Sequence, residues 1–160
     1  MYLSYLCTDR MKWIKNYKKR EKGCILCDIV NKKERAFVLK KGEIFVIMNK
    51  FPYNTGHLLI FPKRHVKDLE ELRRDEAELL FTTLQKTIKL LKKVLNPEGF
   101  NIGINIGKVA SASIEHLHIH VVPRFSGDLG FMEIFDSTKV LSEPLHKTFR
   151  KLIKFSKLLD

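Results

Sequence analysis

The chain has 160 residues and is 44% apolar, enough for one domain with a real core. It has no run of about 18 apolar residues, no basic segment ahead of a long apolar stretch after Met1, and three cysteines, an odd number. A membrane span, a secretory leader and a disulfide framework are therefore not expected, and a reducing, cytoplasmic setting is. The net charge of +12, from 30 Lys+Arg against 18 Asp+Glu, favours anionic partners such as nucleotides, polyphosphates or nucleic acid without choosing among them. Much of it is spread over amphipathic stretches from Lys12 to Lys22, Lys86 to Lys93 and Arg150 to Lys157, the pattern of a solvated lysine-rich surface rather than a dedicated nucleic-acid patch.

At the N-terminus, Met11, Ile14 and Tyr17 fall on one face of a predicted helical extension over residues 1–23. Gly23 opens Cys24-Ile25-Leu26-Cys27, which reads as a turn. Ala36 to Leu39 and Ile44 to Met48 are apolar and β-branched with Gly42 between them, the pattern of two strands joined by a turn. Phe51-Pro52-Tyr53-Asn54-Thr55-Gly56 is a loop by its Pro, Asn and Gly content, and His57 to Phe61 is a buried strand that Pro62 should stop. Leu80, Leu84, Thr87, Ile88, Leu91, Val94 and Leu95 follow helical spacing, with lysines on the other faces. Asn96-Pro97-Glu98-Gly99 ends that helix. Phe100 to Ile106 and His116 to Val122 read as strands, the second stopped by Pro123, and residues 143–160 carry a weaker helical pattern through Leu145, Phe149, Leu152 and Ile153. With no repeat or linker, the whole chain is expected to form a single α+β domain: about five strands in a mostly antiparallel sheet, a long central helix and terminal helices.

Side chains alternate across a strand, so His116, His118 and His120 should share one face while Leu117, Ile119 and Val121 pack on the other. Three imidazoles spaced roughly 6.6–6.8 Å apart are poor core filler and versatile chemistry, as nucleophile, acid, base or metal ligand. Three surface histidines would be the plain alternative. Residues i, i+2 and i+4 of one strand reach too far for all three to chelate one ion, although one of them can join a site built from elsewhere. Upstream, Asn105-Ile106-Gly107 leads into Ala110-Ser111-Ala112-Ser113-Ile114, whose small and hydroxyl residues let backbone N–H groups approach an anion. Cys24 and Cys27 have C-x-x-C spacing, which suits one tetrahedral metal, a redox pair or two buried thiols.

His116-Leu117-His118-Ile119-His120-Val121-Val122 resembles the motif of the histidine triad (HIT) superfamily of nucleotide hydrolases and transferases. The cysteine pair, Asn49 with Pro52 to Ile60, Pro62-Lys63-Arg64-His65 and Pro123-Arg124 resemble the same family in the same order, from about Arg10 to about Lys147. Arg10-Met11, Val122 to Asp128, Phe131-Met132 and Asp136 to Val140 look most like its diadenosine tetraphosphate phosphorylase branch. One departure is Ala112, at a position where many family hydrolases carry Gln.

The resemblance implies a HIT-like fold, a homodimer and cleavage of dinucleoside polyphosphates at the α-phosphate. It makes His118 the nucleophile, through a nucleotidyl-histidine intermediate resolved by phosphate or water. A backbone carbonyl should hold its other ring N–H. His120 and Ser113 would hydrogen-bond the phosphate oxygens together with the backbone N–H groups near Ser113 and Ile114. Asn105 would orient the phosphate loop, Asn49 would hold the ribose and His57 would support the triad. Zinc would sit structurally on Cys24, Cys27, His65 and His116. Cys7 is left as a plain thiol and His146 as a surface residue. A hydrolase of AMP conjugates of the phosphoramidate type and a nucleotide-binding regulatory module with little turnover are the alternatives. No RNA-binding aromatic motif or helix-turn-helix pattern supports a nucleic-acid partner.

Overall fold

Ile44–Met48 and Leu58–Pro62 are buried at every position, which requires an apolar layer on both faces of the sheet they form. The computed structural model describes residues 23–128, 141 and 143–160. The expected N-terminal helix, all but Gly23, lies outside these, as do Cys7, Phe131-Met132 and Asp136 to Val140. The strands are β1 (Val38–Lys40), β2 (Ile44–Met48), β3 (Leu58–Pro62), β4 (Gly99–Ile104) and β5 (Ile119–Arg124), in the spatial order β1-β2-β3-β5-β4 with every pair antiparallel. The helices are α1 (Ile25–Val30), α2 (Arg74–Leu95) and α3 (Leu145–Ile153), the last followed by a short 3-10 turn at Ser156–Leu159. The fold is α+β, as expected.

Alternation sorts each strand's residues between two layers. Ile44, Val46, Met48, Leu58, Ile60, Ile119 and Val121 face Leu80, Leu84, Leu90 and Leu91 of α2 together with Leu152 and Leu159. Phe45, Ile47, Leu59 and Phe61 face Ile25 and Leu26 of α1. Each such side chain taken out of water contributes about 1.5–3 kcal/mol. α2 ends at Asn96, whose left-handed φ of 48° breaks the helix.

Several boundaries differ from the sequence reading. Cys24 to Cys27 enters a helix rather than a turn, because Ile25 and Leu26 bury against Phe45, Ile47 and Phe61. β3 and β5 run through their prolines. Lys63 N–H bonds to Glu43 across β2, so Pro62, one residue earlier, turns its nitrogen and carbonyl toward β5, which pairs no further than Ile60. Pro123 likewise turns toward β3, beyond that strand's first residue, since Glu98 N–H bonds to the next carbonyl, Arg124 O. Neither missing N–H costs a ladder bond. Side chains use the two carbonyls: His116 Nε2 donates to Pro62 O at 2.9 Å and Asn54 Nδ2 to Pro123 O at 3.0 Å. Finally, β5 starts at Ile119 rather than His116, because Leu117 N–H goes to Val66 O at 2.7 Å instead of to a strand.

The loop after β3 is anchored by Glu76, a buried carboxylate in the first turn of α2. It accepts from Arg64 Nε at 2.9 Å, Arg64 Nη2 at 2.6 Å and the Arg73 backbone N–H at 2.9 Å. These bonds, the Arg64 guanidinium foremost, lower its pKa from 4.5 to about 2. The carboxylate's contribution is therefore complete above pH 4.5 and is lost as pH falls toward 2. Glu76→Gln should cost about 2 kcal/mol at pH 7, because it removes the charged acceptor shared by the exposed Arg64 guanidinium and the Arg73 N–H. Denaturant unfolding at a series of pH values should show the gap between wild type and variant closing across that acid window; a gap independent of pH would refute the assignment.

Candidate active site and metal cluster

Two groups of side chains meet at the start of β5. In the first, one ligand atom from each of Cys24, Cys27, His65 and His116 lies within 4.8 Å of the other three. Cys24 Sγ is 3.3 Å and Cys27 Sγ 3.6 Å from His116 Nδ1, and Cys27 Sγ is 3.3 Å from His65 Nδ1. Ligands around a tetrahedral ion, with metal–S about 2.3 Å and metal–N about 2.0–2.1 Å, stand about 3.3–3.8 Å apart, so the set fits one small metal ion. Its chemistry fits too. His116 Nε2 donates to Pro62 O, which leaves the lone pair of a neutral ring on Nδ1, aimed at the two sulfurs. Burial pushes the His116 pKa down to about 4, so the ring is in its ligating form at neutral pH. Burial and the neighbouring Cys27 push the Cys24 thiol up to about 11, a cost that a bound cation would offset by favouring the thiolate. The cluster joins the N-terminus of α1, the loop after β3 and the approach to β5.

The second group holds the remaining histidines of the motif. His118 is 5% exposed, and its Nδ1 lies 2.7 Å from His116 O. A carbonyl only accepts, so Nδ1 carries the proton and Nε2 the lone pair. His120 is reached through a short chain. The Tyr53 backbone N–H donates to His57 Nδ1 at 3.0 Å, so neutral His57 is protonated on Nε2, which faces His120 Nδ1 at 2.9 Å. His120 therefore accepts at Nδ1 and presents an N–H at Nε2. The His118 and His120 rings meet edge to face, 4.8 Å between centroids, and the Tyr53 ring stacks beside His120 at 5.8 Å. Asn49 Nδ2 rests 3.3 Å from His57 Nδ1, and its Oδ1 accepts the Phe51 N–H at 3.1 Å.

Strand register places these groups relative to a cavity. Ile47 pairs with Leu59, Leu59 with His120 and His120 with Gly103, so the four form one row across the sheet on the α1 side. A cavity of about 640 Å³ has Ile47 and Leu59 in its lining, with Ile25, Leu26 and Ile29 of α1, Phe37, Asn49, Phe51, Ser113, Ile114 and Leu145. Three of the expected substrate-binding residues, Asn49, Ser113 and Ile114, thus meet at one cavity beside the histidines. Asn105 lies just past the end of β4, half-buried, and makes no hydrogen bond among the described residues. His146 is exposed on α3, as expected. The apolar wall from α1 was missed in the sequence because that segment was read as a turn; Ile25, Leu26 and Ile29 do carry the i, i+4 spacing of a helix face. Leu145 was missed because only the tertiary fold carries α3 to the cavity.

Comparison with known proteins gives a consistent result. The pattern of the HIT domain matches residues 30–127. The AP-4-A phosphorylase of Mycobacterium tuberculosis strain H37Rv is 42% identical over 121 residues, covering 74% of this chain and 62% of the relative, so the match spans under two thirds of that protein. An asymmetrical bis(5'-nucleosyl)-tetraphosphatase of Schizosaccharomyces pombe is 36% identical over 81 residues, 51% of this chain and 44% of that one. Among solved structures, a Zn-bound histidine triad family protein from Mycobacterium smegmatis superposes with a TM-score of 0.71 at 30% identity, covering 86% of this chain and 96% of that one.

Proposed function

The chain belongs to the HIT domain family, and from that premise we propose that it cleaves dinucleoside polyphosphates of the diadenosine tetraphosphate type at the α-phosphate, by nucleotidyl transfer through His118. One observation carries the reading: His118 is held through Nδ1 by a main-chain carbonyl, which leaves the lone pair on Nε2, and its ring stands edge to face with that of His120, 4.8 Å between centroids. His120 pairs with Leu59, which lines a cavity with the volume and apolar lining of a small-molecule site. The relatives named above, a phosphorylase of AP-4-A and a tetraphosphatase, support the substrate class.

One nucleoside enters the cavity, its base against Ile25, Ile29 and Phe37 and its ribose toward Asn49. His118 Nε2 attacks the α-phosphorus, an N–P bond forms, and the P–O bond to the rest of the polyphosphate breaks, its electron pair leaving on the bridging oxygen. His120 Nε2–H and Ser113 stabilise the charge gathering on the non-bridging oxygens. In the second half-reaction an oxygen of inorganic phosphate or water displaces His118, and the nucleotide departs. Zinc is the metal proposed for Cys24, Cys27, His65 and His116, supported by the donor set and by the zinc in the mycobacterial homologue; with all four positions filled by protein it is structural. The homodimer is part of the proposal as well. Among the described residues β4 is an edge strand of the sheet, and it carries Ile102, which is 45% exposed; both suit a second copy. No helix among the described residues is long and apolar enough to cross a membrane.

Product analysis tests the reaction. Diadenosine tetraphosphate incubated with inorganic phosphate should give ADP plus ATP if phosphate is the acceptor, and AMP plus ATP if water is. Two ADP formed without phosphate, or no turnover in either condition, would overturn the proposal.

A further inference from the structure

The contacts that orient His120 begin in a loop whose own anchor lies outside the reacting groups. Asn54, one residue after Tyr53, is buried. Its Nδ2 donates to Pro123 O at 3.0 Å and to Asp128 Oδ2 at 2.8 Å, and its Oδ1 accepts the Thr55 N–H at 2.9 Å. These partners fix which end of the amide is which, since a carbonyl and an ionised carboxylate only accept. Asp128 is itself held: the same Oδ2 accepts from Arg124 Nε at 2.8 Å and from the Phe125 N–H at 2.9 Å. The loop is tight on its other side as well. The Asn54 carbonyl accepts the His57 backbone N–H at 3.1 Å, and a Cβ added to Gly56 would collide with Leu95 Cδ1 and stand 3.2 Å from Pro123 Cγ.

This clamp closes a circuit on one strand. β5 supplies His120, whose Nδ1 faces His57 Nε2 at 2.9 Å, and, three residues on, the Pro123 carbonyl that holds Asn54. Between them the Tyr53 N–H, next to Asn54 in the chain, donates to His57 Nδ1 at 3.0 Å. That main-chain donor decides where the His57 ring carries its proton, because Asn49 Nδ2 stands 3.3 and 3.4 Å from the two ring nitrogens and so favours neither. Building on the α-phosphate chemistry proposed above, we propose that Asn54, held by Asp128, is a positioning residue for the transfer step. It fixes the Tyr53 N–H, which keeps the His57 proton on Nε2. That in turn keeps the His120 proton on Nε2, where it meets a non-bridging phosphate oxygen. Asn54 acts through the two rings and needs no contact with substrate.

Three variants test this. Asn54→Asp is nearly isosteric but has no N–H to give and sets a second carboxylate against Asp128. Asp128→Ala removes the anchor, whereas Asp128→Asn keeps an acceptor oxygen for Asn54. The first two should lower kcat on diadenosine tetraphosphate about 10- to 100-fold, the scale of a small misplacement of a reacting group, with affinity for a non-cleavable analogue changed no more than a few-fold. Asp128→Asn should retain most of the wild-type rate. Imidazole nitrogen NMR shifts read the ring protonation without substrate. Wild type should show His57 and His120 protonated on Nε2 and His118 on Nδ1. Asn54→Asp and Asp128→Ala should move the His57 and His120 signals toward the other tautomer and leave that of His118, held by His116 O, in place. If Asn54→Asp does not fold, Asp128→Ala carries the same comparison. Wild-type kcat in the damaged variants, unmoved His57 and His120 signals, or a His118 signal that moves with them would overturn the positioning role. Wild-type protein with the expected ring signals but no turnover would instead count against the function itself.

Discussion

His118→Ala is expected to lower kcat on diadenosine tetraphosphate by about 10⁴-fold or more, the scale on which losing a covalent nucleophile is felt, while nucleotide affinity changes by no more than a few-fold. The two effects separate because the cavity that would hold the nucleoside is lined by α1, Phe37, Asn49, Phe51 and Ser113, and His118 is not part of that lining. Calorimetric titration with a non-cleavable analogue would read the affinity and initial rates would read the turnover. Acid quenching of wild type in the first turnover should trap nucleotide covalently on the protein, and the variant should trap none. The alanine variant turning over at an undiminished rate would place the nucleophile elsewhere. The same would follow from wild-type protein that turns over without ever carrying labelled nucleotide.

Loss of the metal is the second large expected effect. Cys24→Ser or Cys27→Ser should abolish stoichiometric zinc, measured by elemental analysis of the purified protein, and lower Tm by about 10 °C, as follows from a few kcal/mol in a domain of this size. The double variant should be scarcely worse than either single one, since the first lost ligand already opens the site. A catalytic cost should accompany the structural one. His116 places its ring in the proposed metal site and its carbonyl against His118 Nδ1, so loosening the ring should loosen the group that orients the proposed nucleophile. Metal-free wild type should therefore show a reduced kcat that returns on adding zinc. Full activity and unchanged Tm after exhaustive chelation would refute the site.

Much of this was legible in the chain itself. Period-2 spacing put His116, His118 and His120 on one face, and Leu117, Ile119 and Val121 are buried on the other as that spacing requires. The strand was nonetheless read too early, because spacing reports side-chain direction and not pairing: Leu117 N–H bonds to Val66, a partner that no local pattern reveals. Cys24 and Cys27 announced a pair, but their histidine partners are 38 and 92 positions away along the chain, and family resemblance, not spacing, supplied them. The ring protonation was out of reach of the sequence. It is set by Pro62 O, His116 O and the Tyr53 N–H, main-chain groups whose positions exist only in the folded molecule.

The prolines that end the β3–β5 pairing also act as a lock on alignment. Strands of period 2 can slide by two residues without exchanging faces, and such a slide here would bring His118 or Val122 beside Leu59 in place of His120. Sliding in the direction that lengthens the pairing sets Pro62 against Ile119 and Pro123 against Leu58, each proline facing a carbonyl to which it has no hydrogen to give. Sliding the other way shortens a ladder that is already only three pairs long. The observed alignment avoids both losses, and it is the one that sets His120 beside Leu59, at the wall of the cavity.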